Sequence, residues 1–222
     1  MATIEYACLQ TITGGTLRPG GFSITDRGIG LCRFPDGTRV LDAGCGCGAT
    51  VRRLWDRHNI KGYGVDFSLA MLTEAGVMST PGLLAGARLE SLPFRNGVFG
   101  GIICECVLCL TKTDTVLREF SRVMGTGGFL ILSDLYRTTA ALPGPPGMEI
   151  MEKDRILSHL AHLGFDIITF EDRTADLKRL AVELILSGHA SRRCGVAAPS
   201  PGKKAGAWDG IGYYLLVARR IA

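Results

Sequence analysis

The sequence predicts an α/β domain in which a mostly parallel sheet carries helices on both faces. Three observations lead there. From Arg39 onward, short apolar runs alternate with segments of helical periodicity. Residues 98–106, VFGGIICEC, are apolar on both alternating faces, as a strand inside a parallel sheet must be. Residues 39–51, RVLDAGCGCGATV, form an apolar run, then Asp42, then glycines at 44, 46 and 48, then a segment able to start a helix near Ala49. Glycine at those places lets the chain turn sharply and brings bare backbone close to a small molecule, as a strand-to-helix crossing over a nucleotide-type cofactor requires.

Length and charge narrow the possibilities. A chain of 222 residues fits a single domain, since chains of this size bury about 70% of the surface they expose unfolded. The net charge of +4 is spread along the sequence. The doublets Arg52-Arg53, Arg192-Arg193, Lys203-Lys204 and Arg219-Arg220 read as solvated surface, not as a nucleic-acid groove. The N-terminus, MATIEYACLQ, lacks a basic region followed by an apolar core, so no secretory signal is expected. The run 101–110 is too short to span a bilayer and contains Glu105, so no membrane insertion is expected and a cytoplasmic location follows. Eight cysteines are unevenly placed, with Cys45 and Cys47 inside the glycine loop, which favours reduced thiols over disulfides.

Taken in order, residues 1–16 show no clear period, and glycine and proline punctuate the approach to 21. Residues 23–32 are expected as a short helix capped by Ser23 or Thr25. After the strand and glycine loop, KGYGVDF at 61–67 is a second short strand ending in Asp66. Ser68 can cap a helix running to about Val77 with Leu69, Met71, Leu72 and Ala75 on one face. Residues 114–124 form an amphipathic helix stopped by Gly125-Thr126-Gly127-Gly128, and a strand follows. The loop around Pro143 leads to a helix over 152–163, ended by Gly164, and to a strand FDIITFED. Residues 174–186 are a further amphipathic helix, 191–207 a mobile loop, and GYYLLVARR the closing strand.

The spacing of the glycines excludes two common nucleotide loops. A nicotinamide fingerprint is G-x-G-x-x-G and a phosphate-cradling loop ends in Gly-Lys-Ser/Thr; here the third glycine comes one residue too early and no lysine follows. Asp-x-Gly-x-Gly-x-Gly at 42–48 resembles instead the first motif of the class I S-adenosylmethionine-dependent methyltransferases. In that family an acid ending the second strand takes both ribose hydroxyls, a place matched by Asp66, whose carboxylate offers two acceptor oxygens. ARLESLPFRNGVF at 87–99 is similar to the third motif of the menaquinone-biosynthesis and related small-molecule methyltransferases at Leu92, Pro93, Phe94 and Phe99. It departs from that motif at Arg88 and Gly100, where acids are usual. LREFSRVMGTGGFLILSD resembles the family's helix, turn and fifth strand, with Thr126 in place of proline.

The resemblance implies a doubly wound seven-stranded sheet whose last strand runs antiparallel. It also implies a segment 1–35 capping the cofactor ahead of a methyltransferase domain 36–222. The cofactor implied is S-adenosylmethionine, held by Asp42, Gly44, Cys45, Gly46, Gly48 and Asp66, with Phe67 and Met71 beside adenine; core packing explains those last two equally well. Arg88 cannot accept from the adenine amino group, because guanidinium has no acceptor, so the backbone at Leu89 or Glu90 is expected there. Arg18 could meet the methionine carboxylate, an exposed arginine being the alternative. Cys104, Glu105, Cys106 and Cys109 fall at the carboxyl end of the fourth strand, where ligands of open α/β sheets sit. Cys104 counts among the cofactor contacts. Cysteines as small apolar filler are favoured over a set holding a metalloid, and no metal is assigned.

The function implied is methyl transfer to a small-molecule acceptor, with Glu105, Asp134 and Tyr136 as candidate bases if the acceptor is protonated. Three alternatives remain: a partner subunit that binds the cofactor without turnover, a nicotinamide-dependent oxidoreductase, or transfer to a cysteine-held metalloid. His159 and His162, on one helix, are expected at its polar surface.

Overall fold

The computed structural model describes residues 16, 18–77, 82–139, 145–186 and 209–221. Seven strands, β1 (Arg39–Ala43), β2 (Lys61–Asp66), β3 (Leu83–Gly86), β4 (Phe99–Glu105), β5 (Met124–Arg137), β6 (Phe165–Asp172) and β7 (Ile211–Arg220), pair into one sheet ordered β3-β2-β1-β4-β5-β7-β6. All neighbours are parallel except those of β7, which runs antiparallel to both β5 and β6. The order reverses at β1, where successive connections leave toward opposite edges and a crevice opens above the strand ends.

Among the described residues, α1 (Gly21–Leu31) precedes the first strand, and α2 (Ala49–His58), α3 (Leu69–Val77), α4 (Thr113–Val123), α5 (Lys153–His162) and α6 (Thr174–Leu186) connect the strands. On one face, Ile24 and Ile29 of α1, Leu54 of α2 and Leu177 of α6 pack on Val40, Ile103, Ile131 and Leu215. On the other, Val116, Leu117 and Phe120 of α4 and Ile156 and Leu160 of α5 pack on Leu41, Ile102, Leu130 and Leu216. Each fully buried Leu, Ile or Phe contributes about 1.5–3 kcal/mol relative to exposure, so these two stripes hold the layers together. Because α1 buries Ile24 completely on the sheet, residues 21–31 belong to the layered core. The segment 1–15 and the loop expected over 191–207 lie outside the described residues.

Two local expectations are corrected. Helix α1 begins after Gly20, and neither Ser23 nor Thr25 caps it: Ser23 Oγ donates to the Gly20 carbonyl and Thr25 Oγ1 reaches across to Glu105. The glycines at 125–128 do not form a separate turn, since β5 starts at Met124 and pairs with β4 through a register shift between Phe99 and Gly101. A Cβ on Gly128 would stand 2.7 Å from Met124 Cγ, so this kinked strand start closes only on glycine. At Gly100, where the family pattern has an acid, a Cβ would sit 2.7 Å from Thr38 Cγ2, so a side chain there would displace that methyl. Among the described residues no helix is long and apolar enough to cross a membrane.

Candidate functional site

The parallel register brings the ends of β1, β2 and β4 to one edge, with Asp42 opposite Gly64 on one side and Ile103 on the other. The glycine loop turns over this edge. Gly44, Gly46 and Gly48 have φ of 86°, 52° and 76°, the left-handed region that favours glycine. Gly44 and Cys45 donate their backbone N–H groups to the Val65 carbonyl (2.8 and 2.9 Å), which pins the loop to β2. Asp66 Oδ2 accepts from Gly46 N (2.9 Å) and Oδ1 from Ser68 N (2.8 Å). Each carboxylate oxygen has two lone pairs, so Asp66 is oriented by the loop and retains capacity for two further donors. The Cys45 thiol is buried, close to Gly64, and Cys47 Sγ lies 3.9 Å from Met71 Sδ, so both fill space under the loop.

Phe67 is 78% exposed directly beside Asp66, which removes core packing as an explanation for it. Met71 is half-buried, with its methyl 3.1 Å from where a Cβ on Gly46 would lie, and so borders the loop. Ala87 N donates to the Asp66 carbonyl (3.0 Å), which starts the 87–98 segment next to the acid. Leu89 points its side chain into the core, Glu90 is half-buried, and Arg88 is exposed. Sequence reasoning missed what holds this segment: Arg122 donates to the carbonyls of Leu92 (3.0 Å) and Phe94 (2.7 Å), while Glu119 accepts from Leu92 N (2.8 Å). Glu119 and Arg122 also pair with each other, three residues apart on α4; that spacing was the available signal.

The edge at β4 and β5 is built differently. Glu105 is buried, with its Oε2 2.9 Å from Arg18 Nη2, and it accepts from Thr25 Oγ1 (3.0 Å) and Thr50 Oγ1 (3.2 Å). Arg18 is thus not the exposed arginine of the alternative reading. Asp42 is pushed up to about 8, chiefly by burial and then by the Glu105 charge, with Arg18 opposing. Asp134 accepts from Cys109 N (3.0 Å) and Leu135 N (2.7 Å), which fastens the single 3-10 turn Leu108–Leu110 over the sheet; burial nevertheless raises its pKa. Tyr136 is directed toward the far edge, beside Gly212, with Asp172 and Thr174 as the polar groups near its hydroxyl. Of the three candidate bases, Glu105 alone stands against the segment that follows the glycine loop.

Cys104, expected among the cofactor contacts, is fully buried in the core, because at that register its side chain faces Leu41 and Leu132 rather than the edge. Burial pushes the thiols of Cys104, Cys106 and Cys109 up, so they are neutral. Among the described residues no group of three His, Cys, Asp or Glu is placed to hold a metal ion. Of the doublets expected as solvated surface, Arg53 instead pairs with Asp26 and lies over the Phe22 ring, tying α2 to α1. His159 stays at the surface beside Asp114 (3.3 Å).

Residues 41–132, the span from β1 through the glycine loop and Asp66 to β5, match the family model described as a methyltransferase domain. That match covers less than half of the chain. The chain is 31% identical over 159 residues to the sarcosine/dimethylglycine N-methyltransferase of Halorhodospira halochloris, covering 63% of this chain and 56% of that relative. It superimposes on the (4+2)-cyclase SpnF with a TM-score of 0.78 at 21% identity, covering 100% of this chain and 94% of that one. It also superimposes on the Haemonchus contortus phosphoethanolamine N-methyltransferase 2 in complex with phosphomonomethylethanolamine and S-adenosylhomocysteine, with a TM-score of 0.78 at 18% identity, covering 98% and 57%. The chain thus spans just over half the length of the two methyltransferases, and the likeness to both solved structures is one of fold.

Proposed function

We propose that the domain binds S-adenosylmethionine at the glycine loop and transfers its methyl group to a small-molecule acceptor. The observation that carries this is Asp66, held by Gly46 N and Ser68 N with acceptor capacity left on both oxygens, between a backbone cradle and an exposed aromatic ring. Those groups suit an adenosyl ligand. The ribose diol gives two donors for one carboxylate, adenine lies against Phe67 and Met71, and the edge near Leu89 and Glu90 is held in register by Arg122. Gly44, Cys45, Gly46 and Gly48 let the remainder of the cofactor approach the backbone, with Asp42 beneath.

The bound cofactor supplies an activated methyl group on its sulfonium, and S-adenosylhomocysteine remains after transfer. What the chain contributes is position: a preformed loop, an oriented carboxylate and apolar walls that exclude water. The acceptor is a small molecule, amines being the first class to test because the relatives named above act on sarcosine and phosphoethanolamine. A cytoplasmic setting accords with the buried thiols of Cys32, Cys45, Cys104 and Cys109, none of them in a disulfide. The likeness to a cyclase along the whole chain makes a turnover assay necessary beside a binding assay. Calorimetry with S-adenosylhomocysteine should show micromolar binding to the wild type and at least about a hundredfold weakening in Asp66→Ala, the cost of two hydrogen bonds to a charged group. Release of S-adenosylhomocysteine from S-adenosylmethionine with phosphoethanolamine, sarcosine or related amines should then identify the acceptor. Binding with no turnover on any acceptor would leave a non-catalytic partner as the better reading.

A further inference from the structure

We propose that the groove between α4 and α5 binds a phosphate group, free or carried by a small organic molecule, with Arg118 and Arg155 as its charged contacts. The site shares no residue with the glycine loop, Asp66 or the edge at Glu105, so it stands whether or not the domain takes S-adenosylmethionine. Arg155, Ser158, His159 and His162 fall at i, i+3, i+4 and i+7, which is one face of α5. Arg118 of α4 and Leu163 complete the lining of a groove of about 470 Å³. Its walls are fixed before any ligand arrives. Val116, Leu117 and Phe120 hold α4 on the sheet, Ile156 and Leu160 hold α5, and Ser121 Oγ of α4 donates to the Leu163 carbonyl (3.3 Å). A preformed site spends little binding energy on ordering its own side of the contact.

The charges in this groove do not balance. Arg27, Arg53, Arg122 and Arg173 each meet a carboxylate. Arg118 and Arg155 meet none, and among the described residues neither guanidinium has a hydrogen bond, ion pair or ring contact. The acid at the margin, Asp114, is taken by His159, whose Nε2 stands 3.3 Å from its Oδ1. His162 Nδ1 donates to the Ser158 carbonyl (2.7 Å), which leaves Nε2 for a ligand. The fold gains nothing from such an arrangement. Arg155 sits in the first turn of α5, where the helix dipole disfavours a cation, and basic groups at i and i+4 repel when both are charged. An anion in the groove reverses the sign of each of these effects. Phosphate suits it best, because it carries up to two charges and directs its oxygens tetrahedrally toward donors on both walls, whereas a carboxylate offers two oxygens in one plane. A groove this short favours a compact dianion over an acidic peptide.

The test titrates the whole chain at low ionic strength with inorganic phosphate and with glycerol 2-phosphate, following the His159 and His162 ring signals by NMR. Both signals should shift saturably with each ligand. Arg118→Gln and Arg155→Gln should each weaken binding about fivefold and the pair together at least about tenfold, modest steps that fit charge-assisted bonds at an exposed site. Arg155→Lys should recover part of its loss by keeping the charge. A control pair, Arg33→Gln with Arg57→Gln, removes the same charge from exposed positions elsewhere and should change affinity less than about twofold. Without ligand the groove pair should melt no lower than the wild type, and phosphate should raise the melting temperature of the wild type but not of that pair. Tighter binding of glycerol 2-phosphate than of inorganic phosphate supports an organic phosphate as occupant, and equal affinity supports the free ion. No saturable shift with either ligand overturns the proposal, as does an equal loss in the control pair. A groove pair that melts lower yet binds phosphate as tightly as the wild type marks these arginines as structural and also overturns it. Saturable binding of a polyglutamate peptide, with none of phosphate, would overturn it in favour of a protein contact.

Discussion

At the end of β2, each oxygen of Asp66 accepts one backbone N–H, from Gly46 of the glycine loop and from Ser68, and keeps the rest of its capacity. At the end of β4, Glu105 is enclosed by donors from three segments, at Arg18, Thr25 and Thr50, and in β5 Asp134 takes the backbone N–H groups of Cys109 and Leu135. Both edges end in carboxylates, and both face the crevice at the reversal of strand order. The difference lies in what the local backbone offers. After β2 the chain passes straight into Ser68 and α3, leaving the acid at a shallow surface beside an exposed Phe67. After β4 it folds back through a tight turn, and Cys106 takes a φ of 56°, unusual for a residue with a side chain. That turn lies over buried ground where each polar group must be paired. An acid at a strand end therefore keeps acceptor capacity on the first side and is a structural tie on the second.

The comparison can be broken in four ways, in decreasing size of effect. Gly44→Val should be the most damaging, because φ is 86° and an added Cβ would lie 2.5 Å from Val107 Cγ2. Chemical denaturation should show a loss of about 3 kcal/mol or more, from backbone strain plus overpacking, with cofactor binding lost as well. Asp42→Asn acts through pH. The acid titrates at about 8 folded against a usual value of 3.8, so the folded state holds a proton that the unfolded chain has lost. Wild-type stability from this group is complete below about 4 and falls as pH rises toward 8. The asparagine variant should gain on the wild type across that window, by on the order of 2 kcal/mol at pH 9, as read from urea midpoints at pH 5 and 9. An equal offset at both pH values would mean that Asp42 is ionised in the fold.

Asp134→Ala should cost about 1–3 kcal/mol, since it strips the acceptor from the buried Cys109 N–H, while S-adenosylhomocysteine affinity changes by less than about threefold. A large affinity loss with intact stability would move this acid to the ligand side of the comparison. Tyr136→Phe should be the mildest, costing about 1 kcal/mol or less in melting experiments and leaving cofactor affinity unchanged, because its hydroxyl faces Asp172 and Thr174.

Much of the first edge was legible in the sequence. Alternate glycines after an apolar run, then an acid closing the next strand, each place backbone within a few residues of its own contacts. Short-range geometry of that kind is written in spacing. The strand β3 was less legible, since LLAG is four residues long on the sheet margin and has no alternation to read. Arg18 was harder still: its partners lie 7, 32 and 87 residues away, at Thr25, Thr50 and Glu105. No local pattern separates an arginine with such partners from a solvated one. Cys104 was misplaced for a related reason, because which face a central strand residue presents depends on register against Leu132 of β5.

By itself the sequence determined the layered α/β class, the turn over β1 and the acid after β2, because each follows from periodicity or from the conformations open to glycine within a short window. Only the tertiary structure decided which charges are spent inside the protein and which remain for a ligand. Pairing of buried donors and acceptors is settled between segments far apart in the chain, as the ion pair of Arg18 with Glu105 shows: it exists only when the whole sheet is assembled.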